Sequence, residues 1–195
     1  ASPGTAEAIE AVAEHLSKPD KSDEFRFLEA QAASAYWQAL APTPIRFARR
    51  DEPKVPEYWK TFGTRVSPLT GSPRNAATPS QAMLNYLYAM LEAETRIACL
   101  TVGLDPGLGV LHADLRARDS LACDLMEAVR PDVDRWLIGF LRDRVFRADD
   151  FFETKTGQCR VLPPVTHELA ETLSDWQRAI APVAEWTART LLEMG

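Results

Sequence analysis

The sequence predicts an all-α fold, a single multi-helix lobe with one small β-hairpin. Apolar residues recur at spacings of three and four through most of the chain, the period of an amphipathic helix. Only "FFETKTGQCRV" (151–161) reads as two short strands around a tight turn, at Lys155–Gly157. No apolar run approaches the roughly 18 residues that would cross a membrane.

Residues 1–22, rich in Ala and Glu and carrying His15, are expected as a helical segment or linker, and 23–195 as one α-helical domain. From Asp23 to Leu40 the apolar positions are Phe27, Leu28, Ala32, Ala35, Tyr36 and Ala39, and Pro42 and Pro44 end that helix. Prolines 42, 44, 53, 56, 68 and 73 then make 41–80 a long irregular connection, a kind of segment that is usually functional. Pro79 suits the first turn of a helix running to Val102, with Gly103 just past its end. "LDPGLG" reads as a turn. Asp119 or Ser120 can cap a third helix reaching Val129, before Pro131 interrupts it. Asp132–Arg147 is expected as a further helix with Val133, Trp136, Leu137, Phe140 and Leu141 on one face. After the hairpin, helix resumes at Pro163 as one or two elements reaching Leu192.

Composition narrows the function classes. Hydrophobic residues make up 46% and charged residues 26%, the balance of a folded domain with a core of its own. A formal net charge of −6 argues against indiscriminate attraction to nucleic acid, whose phosphates need Lys and Arg. The charge is uneven, however. Between Ile45 and Ala76, seven basic residues (Arg46, Arg49, Arg50, Lys54, Lys60, Arg65, Arg74) face three acidic ones, a local excess of +4. Phe47, Tyr58, Trp59 and Phe62 are interleaved with them, a mixture that suits a phosphate backbone and exposed bases, or else aromatics tucked into the core beneath a solvated loop. Cys99, Cys123 and Cys159 are an odd number without metal-type spacing; Cys99 and Cys123, in apolar helical surroundings, are expected as buried reduced thiols, which fits a cytoplasmic setting.

One constellation carries chemistry. On a helix from Ser120, Asp124 and Glu127 are three apart and share a face, with Ser120 one turn earlier. His112 lies just upstream, after a glycine-bracketed turn able to fold it back over that helix. Imidazole with carboxylates is a ligand set for Mg²⁺ or Mn²⁺, the nitrogen favouring Mn²⁺. Glu29 interrupts the apolar run "FRFLEAQAA", and an acid there must be paired, solvated or coordinating.

The flanking strings sharpen this reading. "EAQAASAYW" (29–37), "NYLYAMLEAE" (85–94), "GLDPGLGVLH" (103–112) and "SLACDLMEAVRP" (120–131) occur in that order. They resemble the successive motifs of the CRISPR-associated endonuclease and integrase that captures new spacers, in its α-helical C-terminal lobe. The resemblance spans roughly 24–165. It implies a divalent metal, Mg²⁺ or Mn²⁺, held by Glu29, His112 and Glu127, with Asp124 as a supporting acid. It implies phosphodiester chemistry on double-stranded DNA with free 3′-OH ends, performed by a homodimer with a small ferredoxin-like partner subunit. Arg46, Arg49, Arg50, Arg65 and Arg74 are then the expected DNA contacts. Family members normally begin with a β-rich N-terminal domain, and nothing in Ala1–Asp20 reads as strands. The expectation is that this domain is absent from the chain, leaving it monomeric or weakly dimeric. The contrasting reading is a catalytically silent helical DNA-binding or assembly module.

Two other motifs carry less. "DDFFE" (149–153) has the look of an aspartate-rich Mg²⁺ motif but lacks the second metal motif such isoprenoid synthases need. "HELAE" (167–171) places Glu171 where a zinc site requires His.

Overall fold

The computed structural model describes the backbone of residues 22–66, 71, 76–109 and 119–194, and side chains from residue 30 to residue 193 within those limits. It is mainly helical with one two-stranded antiparallel sheet, as the apolar periodicity predicts. In chain order the elements are α1 (Ser22–Leu40), α2 (Pro79–Thr101), α3 (Ser120–Met126), α4 (Arg130–Asp143), β1 (Phe151–Glu153), β2 (Cys159–Val161), α5 (Val165–Ala170) and α6 (Leu173–Met194).

Helix α2 is the axis of the fold, and α3, α4, α6 and β2 all pack on it. Its first turn and a half is buried all round, from Pro79 to Leu84, so its orphan N-terminal donors and polar side chains need internal partners. Thr78 is the N-cap and accepts from the Gln81 amide. The Thr78 and Ser80 hydroxyls both donate to the Phe62 carbonyl, at 2.8 and 2.9 Å, and Gln81 Oε1 accepts from the Ala77 amide at 3.0 Å. These bonds dock the irregular 41–66 segment onto the buried end of α2. Gly63 makes the approach close: its φ is +73°, and a Cβ there would lie 2.8 Å from Thr78 Cγ2.

At the other end α2 stops in a left-handed Gly103 (φ +82°). The Gly103 amide donates to Leu100 O and the Leu104 amide to Cys99 O, a Schellman closure. The turn that follows is tied forward, because the Pro106 carbonyl accepts from the Leu121 amide at the start of α3. Asp119 is the N-cap of α3 by position, yet its carboxylate pairs with Arg96 of α2 at 2.5 Å and makes no capping hydrogen bond.

Three boundaries differ from the sequence expectation. Helix α3 ends at Met126 rather than Val129, because 126–129 tighten into turns with the Ala128 amide bonded to Leu125 O and Val129 to Met126 O. Pro131 therefore sits in the first turn of α4, where its missing donor is harmless, instead of interrupting a helix. Helix α4 then ends at Asp143 rather than Arg147, because Phe146 turns away to form a parallel bridge with Phe47. The expected hairpin is present, turning through Gly157 and pairing Phe151 with Val161 and Glu153 with Cys159. Beyond Pro163 there are two helices, short α5 and long α6, with Pro182 on an exposed position inside α6.

The core joins Leu87 and Leu91 of α2, Leu125 of α3, Leu137 and Leu141 of α4, Leu169 of α5 and Ile180 of α6. The irregular segment contributes Ile45, Phe47, Trp59 and Phe62, all buried. Phe47 and Trp59 pack with Phe146 and Phe151, Phe62 packs on Trp37 and Tyr58 is half-buried, so of the two readings of these aromatics the structure selects the core. Cys99 is a buried thiol as expected and Cys159 is buried too, whereas Cys123 is only half-buried because α3 turns Leu121, Ala122 and Leu125 to the core instead; none of the three is in a disulfide.

Candidate active site

The carboxylates singled out by spacing lie where α3 gives way to α4. Asp124 is half-buried in the last turn of α3, and Glu127 is the C-cap residue, still helical at φ −57° and ψ −33°. Continuous helical backbone keeps the two on one face, as i and i+3. Glu127 is exposed, and its carboxylate pairs with the Arg130 guanidinium at the start of α4. An exposed ion pair of this kind contributes at most about 1 kcal/mol, so Glu127 can exchange Arg130 for another cation without loss of the fold.

Arg130 leads into a polar network. Its guanidinium lies over the Tyr88 ring, 4.8 Å from the centroid. The Tyr88 hydroxyl donates to Asp134 Oδ1 at 2.6 Å, and the Tyr36 hydroxyl donates to Asp134 Oδ2 at 2.7 Å. Asp134 is buried, and each of its oxygens has a phenol donor, which is what makes a carboxylate tolerable there. Burial, followed by the hydrogen bond and charge of Asp134, pushes the Tyr36 hydroxyl well above the ordinary tyrosine range, and burial with the same carboxylate does so for Tyr88. Both phenols stay neutral donors.

The expected basic residues divide into two groups. Arg65 reaches this network: it donates to Asn85 of α2, and burial, with a smaller contribution from Arg130, pushes its guanidinium down. The Nε atoms of Arg65 and Arg130 are both buried without a hydrogen-bond partner. Arg46, Arg49 and Arg50 lie on the segment beside Arg142–Arg147, where Arg46 donates to the Arg142 carbonyl and Arg50 stands 3.7 Å from Asp51. Arg49 is exposed.

The backbone of Glu29 lies in α1, whereas its side chain, His112 and Arg74 lie outside the described residues. Among the described residues no three His, Cys, Asp or Glu side chains gather as a metal cage. The described donors, two carboxylates on one helix end, are hard oxygen ligands of the kind Mg²⁺ and Mn²⁺ prefer, and they fit such an ion as part of a larger set.

The remaining motifs have structural occupations. Asp150 accepts from the Arg147 amide, Asp149 pairs with Arg147, and Glu153 accepts from the Tyr58 hydroxyl at 2.5 Å. Glu168 pairs with Arg144 at 2.7 Å, and His167 is exposed.

Reading by spacing missed Asp134, Tyr36, Tyr88 and Arg130. Asp134 had a signal: it shares the apolar face of α4 with Leu137 and Leu141, as i, i+3 and i+7, and an acid on such a face must be paired.

Comparison with known proteins agrees with this architecture. The chain is 35% identical over 181 residues to CRISPR-associated endonuclease Cas1 2 of Rhodospirillum rubrum, a match covering 88% of the chain and 46% of that relative. It is 37% identical over 124 residues to CRISPR-associated endonuclease Cas1 1 of Archaeoglobus fulgidus, covering 63% and 32%. The chain therefore spans less than half the length of these relatives. Among solved structures, a partial Cas6-RT-Cas1–Cas2 complex superposes with a TM-score of 0.74 at 17% identity, over 98% of this chain and 57% of that one. A casposase bound to integration product gives 0.67 at 22% identity, over 94% and 60%. These two likenesses establish the fold. The family model described as CRISPR associated protein Cas1 matches residues 3–174, and the chain belongs to that family.

Proposed function

We propose that this chain carries the helical catalytic lobe of a divalent-metal-dependent DNA endonuclease and integrase acting in CRISPR spacer acquisition. The observation that carries the reading is the Asp124–Glu127 pair, presented on one face at the exposed α3–α4 junction of a chain in the Cas1 family. Glu29, His112 and Glu127 would hold Mg²⁺ or Mn²⁺, with Asp124 in support. When bound, such an ion polarises the scissile phosphate and stabilises the leaving oxyanion. Residues 23–195 form the catalytic unit in this reading, and 1–22 a linker.

The substrate is double-stranded DNA with free 3′-OH ends, joined by transesterification or nicked by hydrolysis. Arg46, Arg49, Arg50, Arg65 and Arg74 neutralise its phosphates. The likeness in fold to a partial Cas6-RT-Cas1–Cas2 complex and to a casposase bound to integration product supports DNA and a small partner subunit, which this reading takes to be ferredoxin-like. A homodimer is the working form in the full-length protein. Among the described residues no helix is long and apolar enough to cross a membrane, and a cytoplasmic setting suits the free thiols.

Manganese should raise the melting temperature by mass action, because the ligands converge only in the folded state. Glu29→Ala, His112→Ala and Glu127→Ala should each erase most of that rise, and Asp124→Asn less of it. A manganese response that survives Glu29→Ala would show that the three-ligand set is wrong. DNA binding without any manganese response would favour a silent binding or assembly module.

A further inference from the structure

Helix α1 carries Glu29, and its described side chains anchor it weakly. From Ala30 to Leu40 none of its side chains is buried, in contrast to α2, which is buried along much of its length. Its C-terminal end is held by the Trp37 ring, 6.2 Å from Phe62, and by the Thr43 amide bonded to Leu40 O. Among the described side chains, the one hydrogen bond that ties α1 to another helix is that of Tyr36 to Asp134. Tyr36 follows position 29 by seven residues, two helical turns, so the two positions share a face of α1. Asp134 in turn follows Arg130 by one turn of α4, and Arg130 holds Glu127.

We propose that Asp134 is a positioning residue for the active site. By accepting from Tyr36 of α1 and Tyr88 of α2, it fixes α1, and with it position 29, against the α3–α4 junction that carries Glu127. This rests on the reading of Glu29 and Glu127 as metal ligands. A carboxylate suits the task because it offers two acceptor oxygens and no donor, so both phenols bind in one orientation. Arg130 completes the path, over Tyr88 on one side and paired with Glu127 on the other. A ligand that reaches the metal from a helix with no buried side chain among those described depends on such outer contacts for its placement.

The test compares two phenol deletions. Tyr36→Phe removes the tie to Asp134. Tyr58→Phe removes an equivalent tyrosine–carboxylate bond, to Glu153 of the hairpin, and serves as the control. Hydrogen exchange of the α1 amides is measured in both variants and in the unsubstituted chain, and manganese affinity by titration. In Tyr36→Phe the α1 amides should exchange at least about tenfold faster. Its manganese affinity should fall about tenfold, the usual effect of losing an outer-shell partner. Tyr58→Phe should leave both readouts unchanged. Unaltered α1 exchange in Tyr36→Phe would overturn the anchor. Faster exchange with unaltered manganese affinity would overturn the positioning role while leaving the ligand reading intact. Failure of the unsubstituted chain to bind manganese would overturn the ligand reading and the positioning role with it, leaving α1 anchoring to be decided by exchange alone.

Discussion

Tyr36 of α1 donates to Asp134 of α4 at 2.7 Å, across 98 residues of sequence. The bond is to a charged acceptor, yet the hydroxyl is only half-buried, so removing it should cost about 1.5 kcal/mol, the low end for such bonds. Its pH dependence has a definite sign. Burial and Asp134 raise the Tyr36 and Tyr88 hydroxyls above the unfolded tyrosine value of about 10. The stability they contribute is therefore fully present below that value and is lost as pH rises beyond it, because only the unfolded chain ionises there. Urea unfolding across the alkaline range should show a falling stability, and Tyr36→Phe should make the fall shallower. An identical alkaline slope in the variant would remove Tyr36 from the network.

Gly63→Ala should be a severe substitution for so small a change. The residue has φ +73°, and the added Cβ would meet Thr78 Cγ2 at 2.8 Å, beside the hydroxyl that caps α2. Gly103→Ala is the control, with φ +82° and open space around the Cβ. A left-handed alanine alone costs roughly 1–2 kcal/mol. Chemical denaturation should give about that for Gly103→Ala and clearly more for Gly63→Ala. Equal losses would mean that Thr78 gives way freely and that the loop-to-helix contact is soft.

The difference between these two glycines also shows what a single sequence conveys. Gly103 was legible as a helix end, because an apolar helical run stops just before it and the glycine stands alone. Gly63 was not, since its reason is a contact with Thr78 across a proline-rich segment that has no period. The aromatics of that segment could be read either as base-stacking groups or as core, and only tertiary packing decides for the core. The same limit applies at the site. Asp124 and Glu127 were legible because their spacing is local. Asp134 was legible only as an acid on an apolar face that must be paired; its partners were not, because Tyr36 and Tyr88 come from two distant helices.

The three cysteines should differ in reactivity. Burial pushes the Cys99 and Cys159 thiols above their ordinary range, with Glu153 adding to the effect at Cys159. The thiolate is the reactive form, so both should resist Ellman's reagent while the fold is intact. Half-buried Cys123 should react first, and all three should react in denaturant. Rapid labelling of two or more thiols in the native protein would contradict the packing around α2 and β2.

DNA affinity should depend steeply on salt even though the chain is acidic overall, because the proposed phosphate contacts lie in a local basic segment. Within that segment the arginines are not equivalent. Arg46 donates to the Arg142 carbonyl and so also holds two segments together; its replacement should lower stability as well as binding. Arg49 and Arg50 are exposed, and the Arg50–Asp51 pair is loose at 3.7 Å. Both are available to phosphates at little structural cost. Replacing both with Ala should leave the melting temperature unchanged, weaken binding to all DNA sequences alike, and make the log–log salt slope shallower by about 2, near 0.9 for each phosphate no longer neutralised. Binding of a duplex at several salt concentrations measures this directly. An unchanged slope in the double variant would place the DNA surface on other residues, and Arg65 beside Arg130 and Glu127 would be the next to replace.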